Sequence, residues 1–418
     1  MKHLMLAASA TLALLIGAGT TPALAACDPG IRAIQYMHSV QMADGSIDGS
    51  IGETADYVIG AASYGIDPNT LTVTTGKSPL DYFTADLGGA KASLTDANEL
   101  GKLIQAVVAS HKDQHAFDGI DLVSKLLTGS TPGGSPQPYY DPGTGVFFDS
   151  ASGNNQTFTQ SNAILGLVVG NTGTPVPAKA VTALKGMQSG SGTTQGAWSD
   201  YGTFTTQDTA MALMALTAAG DTPTTDAAVY SSAVTYLHTQ QDPASGGFTD
   251  STDFGTTSDP DSDSLVTQAL LASGQDPAGS TWTNSNGNAL TDILTFQNAT
   301  TGGFVFAQGQ AVQAFATSQT IVALRHTFMP VVGSYASGAA LPAAGCPAAA
   351  VGGVQASPTP QATTAASSTP KLPAAGQAVS LVEGPAPMTL GGALAAILLV
   401  VGLCVWARSG GLERSRDH

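Results

Sequence analysis

"YLHTQQDPASGGF" at residues 236–248, followed by "SDPDSDSLVTQALLASG" at 258–274, decides how the fold is read. A helix-like segment runs into glutamines, two glycines lead to an aromatic, and a polar entrance opens an apolar run. The segment "AVTYLHTQ" places its apolar residues on one stripe, as an outer helix with a solvated face does.

The arrangement repeats. "GTGVFF" (143–148), "TQGAW" (194–198), "SGGF" (245–248) and "TGGF" (301–304) end in Phe148, Trp198, Phe248 and Phe304, about fifty residues apart. A period of that length signals a repeat architecture. Before three of them stand "VTALKGMQ", "AVTYLHTQQ" and "LTDILTFQ", which assigns Gln188, Gln240 and Gln297 to outer-helix ends bonded to the loop backbone. After each comes a polar stretch and then an apolar run, of which "DTAMALMALTAAG" is apolar nearly all round, as an inner helix buried on every side would be. The N-terminal part supplies one unit from "IQYMHSVQMADGSI" with "ETADYVIGAASYG". A second comes from "SLTDANELGKLIQAVVAS" with "GIDLVSKLLTG". Strand alternation is scarce. Six helix pairs bury their faces by closing into a ring, so the expected fold is all-α, an (α/α)6 toroid over residues 26–330.

The ends of the chain read differently. Residues 1–25 combine a basic start, an apolar stretch and small residues near Ala25, the pattern of a secretory signal peptide. "LAAC" ending at Cys27 also fits a lipobox. Residues 388–407 are uncharged and long enough to cross a hydrocarbon core of ~30 Å. Arg408, Arg414 and Arg416 follow, which puts 408–418 in the cytoplasm and the bulk outside. Residues 331–387 are rich in Pro, Ser, Thr and Ala and read as a stalk. Within it, Leu372, Pro373, Ala374, Ala375 and Gly376 resemble a sortase sorting signal with Ala375 in place of threonine. The expected location is therefore outside the cytoplasm, anchored in a bacterial plasma membrane or, through sortase, in the cell wall.

Of the three cysteines, Cys404 falls in the apolar helix, leaving Cys27 and Cys346 to bracket the domain. Outside the cytoplasm such a pair reads as a disulfide, unless Cys27 is lipidated. The net charge is −16 and there is no basic patch, which excludes nucleic acid as the expected partner.

"YLHTQQDPASGGF" with a following "DTAMALMAL" or "DSLVTQALLASG" resembles the prenyltransferase/squalene-cyclase repeat. The resemblance covers most of residues 30–328 and implies the toroid of terpene cyclases, protein prenyltransferase β-subunits, complement thioester domains and transcobalamin-type carriers. Their chemistries set different demands. A cyclase acid needs a DxDD pattern and an aromatic-lined chamber; here the stretch is Asp259-Pro260-Asp261-Ser262-Asp263, and only Gln195–Trp198 resembles the cyclases' QW signature. Prenyltransferases need a zinc thiolate, and no cysteine lies inside the toroid. Two histidines at helical spacing, His111 and His115, read as a solvated helix end. The thioester sequence is absent.

Asp259, Asp261 and Asp263 match the first ligands of an EF-hand loop, but Ser264 and Leu270 replace its glycine and glutamate. An isolated calcium among the three carboxylates stays open. The carrier resemblance implies a small ligand, a corrinoid, at a mouth formed by inner-helix starts. It carries over to Asp208 and Thr209, with Glu53, Thr54, Asp263 and Ser264 at related positions. The same residues also read as N-caps, accepting the first free backbone N–H groups of a helix.

The expected function is thus non-catalytic binding of a small molecule or a surface protein, with no catalytic residues. The alternative is a terpene-cyclase- or prenyltransferase-like enzyme on the same scaffold, or a toroid glycoside hydrolase or lyase.

Overall fold

A computed structural model describes residues 28–343, apart from 89–93, 95, 131–137, 149–155, 171–174 and 252–254. The expected signal peptide, Cys27, Cys346, Leu372–Gly376, the helix at 388–407 and the tail lie outside the described residues. Among the described residues no helix is long and apolar enough to cross a membrane.

Two kinds of helix alternate along the chain. The outer ones are α1 (Pro29–Val40), α3 (Pro79–Gly88), α5 (Leu122–Thr128), α7 (Ala178–Gly186), α9 (Ala227–Thr239) and α11 (Ala289–Ile293). The inner ones are α2 (Ile51–Ser63), α4 (Ala97–Ala109), α6 (Thr157–Gly170), α8 (Thr206–Ala218), α10 (Pro260–Ala272) and α12 (Ala314–Leu324). Their burial follows the sequence pattern. In α9 only Tyr230, Ala233, Tyr236 and Leu237 are buried, a single stripe. In α8 every residue from Ala210 to Leu216 is buried.

Each inner helix packs on the next, α2 on α4, α4 on α6, α6 on α8, α8 on α10 and α10 on α12, and α12 returns to α2. Six inner helices therefore form a closed ring with the outer helices around it, an α/α toroid as the sequence led us to expect. One pairing differs: Ala97–Ala109 is the inner helix of the second unit and Leu122–Thr128 the outer helix of the third. The outer partner missing from the sequence reading is Pro79–Gly88, whose start is obscured by a polar, glycine-containing approach.

A hydrogen-bond scheme repeats from unit to unit. The backbone N–H that ends the glycine loop donates to the fourth residue of the inner helix. Ile47 donates to Thr54 Oγ1 (2.9 Å), Phe147 to Gln160 Oε1 (2.9 Å), Trp198 to Thr209 Oγ1 (3.1 Å), Phe248 to Asp263 Oδ1 (2.5 Å) and Phe304 to Thr317 Oγ1 (2.8 Å). The repeat aromatic of the third unit is thus Phe147, not Phe148, whose carbonyl instead accepts from Ala97 N–H of the preceding inner helix.

A glutamine amide fastens each loop sideways. Gln188 Nε2 donates to Gly196 O and Val229 O, and Gln241 Nε2 to Gly246 O and Trp282 O. Gln241, and not Gln240, is therefore the structural equivalent of Gln188; Gln240 bonds its neighbour Thr239. Gln160, on α6, does both jobs in its unit, since its Nε2 donates to Gly145 O and Ala180 O.

The loop glycine is required at this position. Gly246 has φ +85°, and a Cβ there would lie 2.2 Å from Gly287 O; at Gly196, φ is +91° and the distance to Ser232 O also 2.2 Å. Only glycine takes this conformation freely and lets the loop lie this close to the next outer helix.

Closure uses the same bond. Gln297 Nε2 donates to Gly302 O (2.8 Å) and to Pro29 O (2.8 Å), joining the last unit to the first. Arg32 reinforces it by donating to Asn298 O and Ala299 O.

After α12 the chain crosses the C-terminal end of the ring as a strap. Met329 and Val331 are buried. Tyr335 stacks on His111 and donates its hydroxyl to Ala109 O at 2.8 Å, and His111 Nε2 lies 2.7 Å from Gly333 O. Asp67 Oδ2 accepts from Gly338 N–H, and Gln35 Nε2 donates to Pro342 O. Chain packed on the toroid thus continues to Pro342, past the composition-based boundary at 330, because several of these contacts are made by backbone groups that composition does not reveal.

Candidate functional site

The N-terminal ends of the inner helices gather on one side of the ring, and four of them carry a side-chain cap, whereas Gln313 before α12 makes no such bond. Ser50, Asp96, Thr205 and Asp259 accept backbone N–H groups of α2, α4, α8 and α10. Counted from the cap, the second, sixth and ninth residues of a helix share a face. In α10 these are Asp261, Leu265 and Gln268; in α2, Gly52, Asp56 and Ile59. The corresponding face of every inner helix points to the ring axis.

A cavity lies on that axis. It is lined by Asp56, Ile59, Lys102, Phe158, Met211, Leu265, Gln268, Ser318, Gln319 and Val322 from the six inner helices, with Met329 of the strap. Its volume is about 30 Å³, room for one or two water molecules. Lys102 Nζ and Asp56 Oδ2 pair at 2.7 Å in its wall. Gln268 Oε1 and Gln319 Oε1 have no hydrogen-bond partner. Phe158 is the one aromatic among these lining residues.

Asp261 stands one helical turn above Leu265 on the same face, about 6 Å nearer the N-terminal end. It is fully buried, and neither carboxyl oxygen has a hydrogen-bond partner. Burial first, then the charges of Asp259, Asp56 and Asp250, push its acid well above the ordinary carboxylate range. Burial thus favours its neutral acid form over the carboxylate.

Its neighbour Asp259 is handled differently. Asp259 Oδ1 accepts from Asp261 N–H (3.0 Å) and Ser262 N–H (2.8 Å), and Oδ2 accepts from Ser262 Oγ (2.7 Å). Ser262, read from the sequence as a gap in the acidic pattern, fixes this carboxyl while accepting from Gln207 Nε2 of α8.

The other expected site residues serve the repeat. Asp208 Oδ2 accepts from Asp200 N–H and Thr205 Oγ1, and burial with the charge of Asp200 raises its acid well above normal. Thr209 accepts from Trp198 N–H and donates to Thr205 O (2.7 Å). Thr54 does the same between Ile47 N–H and Ser50 O. Glu53 lies in the first turn of α2, and Ser264 Oγ donates back to Pro260 O.

Asp263 turns away from the axis to Phe248 N–H and meets the carboxyl of Asp292, which also accepts from Ser245 Oγ. Burial, then Asp292, raises its acid strongly. Asp261, two helical positions from Asp263, faces away from it, while Asp259 is held as the N-cap, so the three carboxylates do not converge on a calcium position. Among the described residues no three acidic, histidine or cysteine side chains are grouped so as to hold a metal ion. His115 bonds Asp121 and Gly170 O while His111 holds the strap, so these two histidines are also apart in function.

Sequence reading missed Asp56, Lys102, Gln268, Gln319 and Met329. The first four follow once the fourth position of each inner helix is aligned, because the axial face then falls at fixed offsets. Met329 has no such signal, since the strap lies outside the repeat.

Comparison with solved structures found two structures of the type II terpene cyclase MstE from Scytonema in complex with geranylgeranyl dihydroxybenzoate. Each has 13% identity and a TM-score of 0.47 over 73% of this chain, and they are covered over 98% and 97% of their own length. A Candida albicans protein geranylgeranyltransferase-I complexed with GGPP gives 13% identity and a TM-score of 0.38, over 71% of this chain and 84% of that one. None of these three is a cobalamin carrier. No protein-family model and no curated protein sequence matches the chain. At this identity the likenesses say nothing about the chemistry the chain performs.

Proposed function

We propose that the toroid is an acid-dependent enzyme whose proton donor is Asp261, acting on an unsaturated, largely apolar substrate that enters along the ring axis. One observation carries this reading: Asp261 is fully buried with both oxygens unpartnered. A polar group buried without a hydrogen bond costs about 1–3 kcal/mol in proteins. No capping or loop bond in the described residues offsets that cost, in contrast to Asp259 and Asp263. A neutral carboxylic acid beside a hydrogen-bonded carboxyl group is what protonation of a weak base such as an alkene requires. Perturbed acids of this kind concentrate at functional sites.

The test incubates the purified domain with a short unsaturated alcohol, 3-methylbut-2-en-1-ol, in heavy water. Gas chromatography with mass spectrometry should reveal products carrying one deuteron on carbon, and Asp261→Asn should abolish them. If Asp261→Asn forms the same products at the same rate, Asp261 is not the acid. Infrared difference spectra provide an independent check, since Asp261 should contribute a protonated-carboxyl band at neutral pH that Asp261→Asn lacks.

A second reading has its own support. The small cavity with its amide and ion-pair lining suits recognition of a compact polar group, as in a ligand-binding domain without turnover. A surface-anchored binding protein remains the proposal to adopt if products are absent while a ligand binds.

A further inference from the structure

The axial cavity is apolar over much of its wall but carries unused hydrogen-bonding capacity. Gln268 is fully buried on α10, and its Oε1 has no partner; Gln319 on α12 presents a second unpartnered amide oxygen to the same cavity. An unfilled requirement of this kind in an otherwise packed ring marks a place for an absent polar group.

The charge around the cavity limits what that group can be. Lys102 is the cation in the wall and is already paired with Asp56 at 2.7 Å. A phosphate or carboxylate would face the Asp56 carboxylate, and Lys102, the one cation among the lining residues, is already committed to it. An ammonium would add a second cation to a wall that already holds Lys102. A bare metal ion would need six or more oxygens, whereas Ile59, Leu265, Met211 and Val322 supply hydrocarbon.

An uncharged group that both donates and accepts, on an apolar body, satisfies primary amides of glutamine from either side. In the available space of about 30 Å³, a hydroxyl on a slender carbon end fits.

We propose that this cavity receives the free hydroxyl end of an apolar alcohol, read by the side-chain amides of Gln268 and Gln319. The assignment rests on the axial cavity being the substrate position, as in the reading above, but not on turnover. It makes a diphosphate ester of the same alcohol a poor ligand.

The experiment uses 3-methylbut-2-en-1-ol as the probe on the full-length protein, followed by saturation-transfer NMR and titration. Its diphosphate ester and 3-methylbutylammonium are compared at equal ionic strength. The alcohol is expected to give saturable transfer, with at least tenfold weaker binding for the diphosphate and the ammonium. Gln268→Met and Gln319→Met each keep the side-chain length and remove the amide, and each should weaken alcohol binding at least tenfold. Circular dichroism identifies any variant that fails to fold, and the other then carries the test.

Equal or tighter binding of the diphosphate or the ammonium would overturn the assignment. So would undiminished alcohol binding in both folded variants, or no alcohol binding to the parent domain, which would leave water as the cavity's occupant. Alcohol binding without product formation would end the catalytic reading and keep this one.

Discussion

Asp261 couples one residue to the pH response of the whole domain. Its acid, with those of Asp208, Asp259 and Asp263, is raised in the folded state mainly by burial, and that of Asp250 is raised to about 6. An unfolded aspartate titrates near 3.9, so between about pH 4 and each raised value the folded state binds more protons than the unfolded one. Stability must then fall as pH rises through that window, and these groups cost nothing once pH is below the unfolded value. Thermal unfolding followed by circular dichroism should give a higher Tm near pH 5 than near pH 8. Asp261→Asn keeps the shape without the ionisable proton, so it should raise Tm near pH 8 and flatten the slope. A Tm that climbs steadily from pH 5 to 8 would contradict the upward shifts assigned to these aspartates.

Among elements, the fourth inner-helix position offers a comparison within one molecule. Thr54, Thr209 and Thr317 each accept the loop N–H and donate to the carbonyl of the cap residue. Asp263 accepts the same kind of N–H but presses a second carboxyl against Asp292. Replacing it by the residue its repeat mates use, Asp263→Thr, retains the acceptor and separates the carboxyl pair. Urea unfolding at pH 8 should show stabilisation of about 1–2 kcal/mol. Thr209→Val removes the acceptor where nothing needs relief, and should destabilise by about 1–2 kcal/mol. Destabilisation by both changes would mean that the Asp263–Asp292 contact supports the fold.

For the whole molecule, closure distinguishes the toroid from an open stack of repeats. In an open solenoid the end units fray independently because each contacts only its neighbours. Here Gln297 and Arg32 bind the last unit to the first through Pro29, Asn298 and Ala299. The double variant Arg32→Ala with Gln297→Ala should therefore speed amide hydrogen exchange in both α1 and α12, at opposite ends of the domain's sequence. Exchange should change far less in α6 and α8, across the ring. Faster exchange in only one of the two end helices would argue against closure through these bonds.

The sequence by itself determined the class of fold: helix pairs of unequal character, a glycine before each loop-ending residue, and a repeat near fifty residues. These are local properties, set by helical periodicity and by the backbone freedom of glycine, and they survive reading in one dimension. It also marked the inner-helix entrances where Asp208, Thr209 and Asp261 stand. Which of those entrances bonds its own loop and which faces the axis was decided by tertiary structure. A shift of two positions on a helix turns a side chain by about 200°, so Asp261 and Asp263 look alike in sequence and have opposite surroundings. The one-residue distinctions between Phe147 and Phe148, and between Gln240 and Gln241, were settled in the same way, by which backbone group reaches the neighbouring unit. The strap, with Met329 against the axial cavity, was decided entirely by packing, because its contacts depend on closure bringing distant parts of the chain together.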